Sequence, residues 1–204
     1  MKLLFATGNI MKYELMKERL GELQELTVVT PNMLGININV IEDGLTPEEN
    51  AIKKATEYYN VAKIPTIAED SGLYIDKFSP DEQPGLFVKR VNGIEGLTNE
   101  EILKHYIDKL NKYGGESLAS YHTGVCLIDE DGKVYSNLLE ETKFLLTSKV
   151  DEASIGKGNV LDCISYDLDA KKYFAHRTEE DRKKHYESLD KEYCELVKKH
   201  ILKK

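Results

Sequence analysis

The sequence predicts an α/β fold, a mixed β-sheet flanked by helices. Two observations point there. A short apolar strand, Lys2 to Ala6, turns at Thr7-Gly8-Asn9 directly into a helix, the order that builds an α/β sheet. Later, Ser117 to Asp129 and Lys133 to Leu146 read as an antiparallel pair joined at Glu130-Asp131-Gly132, which makes the sheet mixed. No internal repeat and no Pro/Gly/Ser-rich linker divides the 204 residues. Residues 1–204 are therefore expected to form a single domain, with two lobes around a cleft.

Each element has a local reason. Met11 to Leu20 reads as a helix with Leu15, Met16 and Leu20 on one face. Leu26 to Thr30 is a strand that Pro31 ends. Thr46-Pro47-Glu48-Glu49 starts a helix with an N-cap Thr, Pro at its first position and Glu at its third, running to about Ala62. Thr66 to Ala68 is a strand entering a turn at Glu69-Asp70-Ser71-Gly72, and Leu73 to Ile75 resumes it. Thr98, with Glu101 as capping partner, opens a helix to about Leu110. Gly114-Gly115-Glu116 turns into the antiparallel pair. Cys163 to Tyr166 is a short strand, and Glu179 to about Ile201 is a charged amphipathic helix.

Composition narrows the function classes. Apolar residues make up 41% of the chain, enough for a core, and the net charge of −8 argues against broad binding to nucleic acid. No apolar run is long enough for a transmembrane helix, and the apolar opening stops too early for a signal peptide. The three cysteines Cys126, Cys163 and Cys194 are odd in number and widely spaced. They read as reduced thiols in a cytoplasmic protein. His105, His122, His185 and His200 have no ligand spacing to one another and read as structural or surface residues.

Four segments can carry chemistry. In the first, Thr7-Gly8-Asn9 lies where a strand opens a helix, with Lys12 one turn in. Free N–H groups and the helix dipole favour an anion there; taken alone, the segment reads first as an ordinary strand-turn-helix capped by Asn9. In the second, Glu69-Asp70 stands between apolar Ile67-Ala68 and Leu73-Tyr74-Ile75. Buried carboxylates need positive compensation, and Mg²⁺ supplies it at phosphate sites. The third combines Glu42-Asp43-Gly44 with Glu49-Asn50 and Lys53-Lys54, charges that also suit a solvated loop and helix face. The fourth, Lys171 through His176-Arg177, offers donors for a base carbonyl or a phosphate.

Taken in order and spacing, these segments resemble the inosine triphosphate pyrophosphatase family, also called Ham1-like. The resemblance rests on Ala-Thr-Gly-Asn-x-x-Lys at residues 6–12, Glu-x-Gly-Leu-Thr at 42–46, Glu-Asn-Ala-x-x-Lys-Ala at 49–55 and Asp-Ser-Gly-Leu at 70–73. Pro84-Gly85 with Arg90, and His176-Arg177, extend it. It implies an elongated mixed sheet, two lobes around an active-site cleft and a homodimer. It implies hydrolysis of purine triphosphates outside the usual set, such as ITP, dITP or XTP, to monophosphate and pyrophosphate, clearing the nucleotide pool. Glu42, Asp70 and Glu69 would serve Mg²⁺, with Mn²⁺ as a substitute, and Asp70 would also orient or deprotonate the attacking water. Thr7, Gly8, Asn9, Lys12 and Lys54 would bind phosphates. Asn159, Asp162, Lys171, His176 and Arg177 would face the base.

The base side departs from the pattern. Gly158-Asn159-Val160-Leu161-Asp162-Cys163 stands where relatives carry Gly-Phe-Gly-Tyr-Asp-Pro. Asn159 replaces a ring whose stacking is worth about 1–3 kcal/mol. Ala175 replaces a Ser. Two further readings follow from this: a pyrophosphatase with shifted base preference, and a nucleotide-binding or sensor protein with little catalysis.

Overall fold

In the computed structural model, which describes residues 1–203, twelve helices and strands position the candidate residues. They are β1 (Lys2–Phe5), α1 (Ile10–Arg19), β2 (Thr27–Val29), α2 (Pro47–Ala62), β3 (Thr66–Ile75), α3 (Asn99–Lys112), β4 (Glu116–Ile128), β5 (Val134–Glu140), β6 (Phe144–Thr147), β7 (Ser165–Asp167), β8 (Lys172–Tyr173) and α4 (Glu179–Val197). The last turns of α4 continue as a π-helix, Lys198–Leu202. The α/β class holds, and the sheet is mixed: β1 pairs in parallel with β2 and β3, whereas β6 pairs antiparallel with β4 and β7.

Contacts divide the chain into two compact units. The first holds Met1–Ser71, Thr123–Leu139 and Ser188–Lys204. Here β1 lies between β2 and β3. One face of this sheet segment carries a cluster of Ala6, Ala68, Cys126 and Ile128 against Ala51 and Ala55 of α2. The second unit holds Gly72–His122 and Glu140–Glu187. Its core joins Leu73, Ile75, Ile102, Tyr106, Leu110, Phe144, Leu146 and Phe174. No described helix is long and apolar enough to cross a membrane. All three cysteines are free thiols.

The helix starts follow their sequence signals. The Thr46 hydroxyl accepts from Glu49 N at 3.2 Å, while the Glu49 carboxylate reaches Leu45 N at 2.7 Å. Thr98 and Glu101 form a complete capping box. In α1 the buried side is Tyr13, Met16 and Arg19, continued by Leu20; Leu15, expected there, is 38% exposed. Arg19 displaces the expected pattern because its charge is satisfied inside.

Two strand predictions need correction. Glu69-Asp70-Ser71-Gly72 is not a turn: β3 runs unbroken through it. The Lys133–Leu146 strand is broken. Glu141 N bonds Tyr121 O at 2.8 Å, yet Phe144 pairs with Ala119. Three steps along one strand thus face two along the other, a β-bulge that inverts which side chains point inward. Leu139 is buried before it, and Phe144 and Leu146 after it.

One close approach seats α2. A Cβ on Gly124 of β4 would lie 2.3 Å from Glu48 N and from Pro47 C. Gly124→Ala should therefore cost about 1–3 kcal/mol, the usual range for overpacking, read as a lower midpoint in urea unfolding; an unchanged midpoint would refute this contact.

Candidate active site

The phosphate-side and acidic candidates all belong to the first unit. At the end of β1, the Thr7 hydroxyl accepts from Asn9 N at 3.1 Å. Asn9 Oδ1 then accepts from Met11 N at 2.9 Å and Lys12 N at 3.4 Å. Asn9 is thus the N-cap of α1, and it satisfies two donors that an anion could otherwise use. Gly8 has no positive φ, and a Cβ there would meet nothing within 4 Å. Neither backbone conformation nor packing demands glycine at this position.

The continuous β3 sends Glu69 and Asp70 to opposite faces. Ala68 packs with α2, and Asp70, two residues on, shares that face: its Oδ2 accepts from Asn50 Nδ2 of α2 at 2.9 Å. Its Oδ1 accepts from Ser71 N at 3.0 Å. Among the described residues no cation pairs with Asp70. Asn50 is 3% exposed, and its Oδ1 also accepts from Gly44 N at 2.8 Å. One buried amide therefore ties the Glu42-Asp43-Gly44 loop to Asp70. The loop's own charges are paired: Lys54 Nζ lies 2.8 Å from Glu42, and Lys53 holds Asp43. Lys54 Nζ also donates to Glu69 O at 3.3 Å.

Glu69 has different company. Tyr193 of α4 donates its phenol to Oε2 at 2.6 Å. Arg19 Nη1 stands 3.6 Å from Oε2, and Lys12 Nζ 3.5 Å from Oε1. The two carboxylates thus point to opposite faces of β3, Asp70 toward Asn50 and Glu69 toward Lys12, Arg19 and Tyr193. Among the described residues no group of three or more His, Cys, Asp or Glu side chains is gathered to hold a metal.

The base-side candidates all lie in the second unit. Gly158, at φ +71°, makes a turn in which a Cβ would collide with Asp162 Oδ2. That oxygen accepts from Asn159 N at 2.9 Å. Burial pushes the Asp162 carboxyl above its ordinary pKa, and the Asn159 N–H partly offsets this. Asn159 and Lys171 are exposed, the latter at positive φ. His176 Nε2 meets Asp151 Oδ2 at 2.6 Å and Ser154 Oγ at 3.1 Å. The Ser154 hydroxyl and then His176 hold Asp151 below the usual carboxylate range. Arg177 is not free in a pocket: its side chain is 7% exposed, with the guanidinium 3.6 Å from the Phe174 ring centre and Nη1 3.6 Å from Asp167 Oδ2. Arg177 Nε and Nη1 and Asp167 Oδ2 lack hydrogen-bond partners among the described residues.

Sequence reasoning missed Arg19, Tyr193 and Asp151, and it named Asn50 only as part of a charged segment, with no role of its own. Asn50 carried a signal, because it falls on the α2 stripe of Pro47, Ala51 and Ala55. Tyr193 lies on the buried stripe of α4 with Leu189, Leu196 and Val197, but nothing local announces where its hydroxyl goes.

The Ham1 family pattern matches residues 3–185. The chain is 33% identical over 164 residues to the dITP/XTP pyrophosphatase of Treponema denticola, covering 78% of this chain and 77% of that one. It is 41% identical over 102 residues to the dITP/XTP pyrophosphatase of Aquifex aeolicus, covering 50% of this chain and 48% of that one. Among solved structures, a Ham1 protein from Coxiella burnetii superposes with a TM-score of 0.73 at 22% identity, over 96% of this chain and 99% of that one. At that identity the likeness speaks for the fold.

The charge behind Arg177 has a pH signature. Burial, then Arg177, lowers the pKa of His185 below its ordinary 6.5, opposed by Asp167 and Asp169. The unfolded chain therefore binds a proton that the folded one refuses, and stability falls as pH drops below about 6.5. His185→Gln should flatten that part of the stability–pH curve; an unchanged slope in denaturant titrations would contradict it.

Proposed function

The chain belongs to the Ham1 family, and on that premise we propose that it hydrolyses nucleoside triphosphates such as dITP, ITP or XTP to the monophosphate and pyrophosphate. The observation that carries this reading is the Asp70 carboxylate, oriented by buried Asn50 and paired with no cation among the described residues. A carboxylate so held suits a task outside the fold: ligating a metal, orienting water, or both.

The donor types fit a hard divalent cation, which takes oxygen ligands and keeps several waters. Asp70 and Glu42 would hold it; Glu69, already surrounded, is left out of that set. When bound, the cation supplies charge neutralisation at the reacting phosphorus. Magnesium is the working ion in this reading and manganese a substitute. Asp70 accepts the proton of the attacking water as its oxygen bonds to phosphorus. The bridge between the α- and β-phosphates opens, and pyrophosphate leaves. Lys12, Lys54, Thr7 and Asn9 offer donors to the phosphate oxygens, and bare Gly8 leaves room for them. His176, Lys171, Asn159, Asp162 and Arg177 would contact the base. The same reading makes the protein a homodimer in the cytoplasm.

A shifted base preference is the second reading. It is favoured by exposed Asn159 in place of an aromatic ring and by Arg177 stacked on Phe174. Pyrophosphate release from a panel of ITP, dITP, XTP, UTP, dTTP and the common purine triphosphates separates the two. Turnover of none at high enzyme concentration rejects both. Asp70→Asn should lower kcat by about 10²–10⁴-fold, the usual worth of a positioned acid or base, with the melting temperature kept; an active variant removes Asp70 from the mechanism.

A further inference from the structure

The charge of Glu69 is compensated from two sides. On one side stands Arg19, its side chain 4% exposed, fixed by its own bond from Nε to Asp190 at 2.5 Å and lying over the Tyr193 ring at 4.1 Å. The Tyr193 phenol, itself fully buried, completes that side. On the other side stands Lys12, 36% exposed and 3.5 Å away. The two holds differ in kind. Arg19 and Tyr193 are locked by packing and by Asp190, whereas an ion pair as exposed as that of Lys12 is screened and easily exchanged.

We propose that Glu69 holds Lys12 in reserve for the substrate's phosphates, and that Arg19 and Tyr193 are positioning residues that keep Glu69 in place and neutralised when Lys12 leaves. The inference rests on the triphosphate reading above and adds to it. A phosphate chain carries more charge than one carboxylate, so it takes the lysine. Glu69 does not follow, because its other oxygen is bonded to Tyr193 and faces Arg19. The buried side therefore sets how strongly Glu69 competes for Lys12. Weakening it makes Glu69 cling to the lysine and raises the substrate concentration needed.

Tyr193→Phe removes the phenol but keeps the ring beneath Arg19. It should raise KM for dITP by about fivefold to tenfold, the scale of one typical net hydrogen bond, with kcat within about twofold of wild type. Calorimetric affinity for inorganic tripolyphosphate, measured without metal, should weaken by the same factor. Glu69→Gln releases Lys12 and should tighten tripolyphosphate binding. Adding Tyr193→Phe to Glu69→Gln should then change KM no further. An unchanged KM in Tyr193→Phe, a fall in kcat alone, weaker tripolyphosphate binding in Glu69→Gln, or a Tyr193→Phe penalty that persists without the carboxylate each overturn the proposal. Tripolyphosphate that fails to bind wild type overturns it too. Absence of pyrophosphate release from every triphosphate rejects the proposed function instead, and the titration still reads the competition for Lys12. If Tyr193→Phe does not fold, Glu69→Gln alone decides by the sign of its effect on tripolyphosphate binding.

Discussion

Two adjacent carboxylates in the middle of one unbroken strand are the constraint on which the rest of the first unit depends. A strand offers its charges to both faces at once, so one neighbouring element cannot serve both. The chain answers with a different chemistry on each face. Asp70 receives a neutral amide from α2 and keeps its charge. Glu69 receives an arginine, a lysine and a phenol from α1 and α4 and has its charge cancelled. The helices around this part of the sheet are thus placed by electrostatics as well as by apolar packing. Arg19 can occupy a buried position of α1 only because Glu69 and Asp190 meet it there.

This division explains which parts of the sequence were legible. Helix starts depend on residues three or four apart, so Thr46 and Thr98 announce α2 and α3 directly. The opening strand, turn and helix are equally local, and the Asn9 cap follows from them. Continuity of β3 is another matter. Glu69-Asp70-Ser71-Gly72 has the composition of a turn, and what keeps it in the sheet comes from Arg19, Asn50 and Tyr193, far away in the chain. The bulge between β5 and β6 was hidden for a smaller reason: apolar parity shifts by one between Leu139 and Phe144, a change that inspection of alternation within either segment misses.

Of the candidate residues, some share one unit and one set of contacts, and others do not. Thr7, Asn9, Lys12, Glu42, Lys54, Glu69 and Asp70 do belong to one unit. The supporting residues escaped notice because their roles are buried. Asn50 looked like part of a solvated helix face and is instead the link between Gly44 and Asp70. At His176-Arg177, the sequence could not tell that Asp151 holds the histidine and that Phe174 with Asp167 holds the arginine. Adjacent positions in the sequence thus have unlike surroundings: the histidine stays half-exposed, and the arginine is enclosed.

The pairing of Glu69 with Tyr193 also has a meaning during synthesis. The two residues are 124 positions apart, an interval of about 6–25 s at common translation rates of about 5–20 residues per second. Throughout that interval the Glu69 carboxylate has been made but lacks its phenol, and Arg19 lacks Asp190. Docking of α4 is therefore the event that closes the charge balance. Until it emerges, the growing chain carries an electrostatic debt that favours a loosely formed strand over a prematurely locked one.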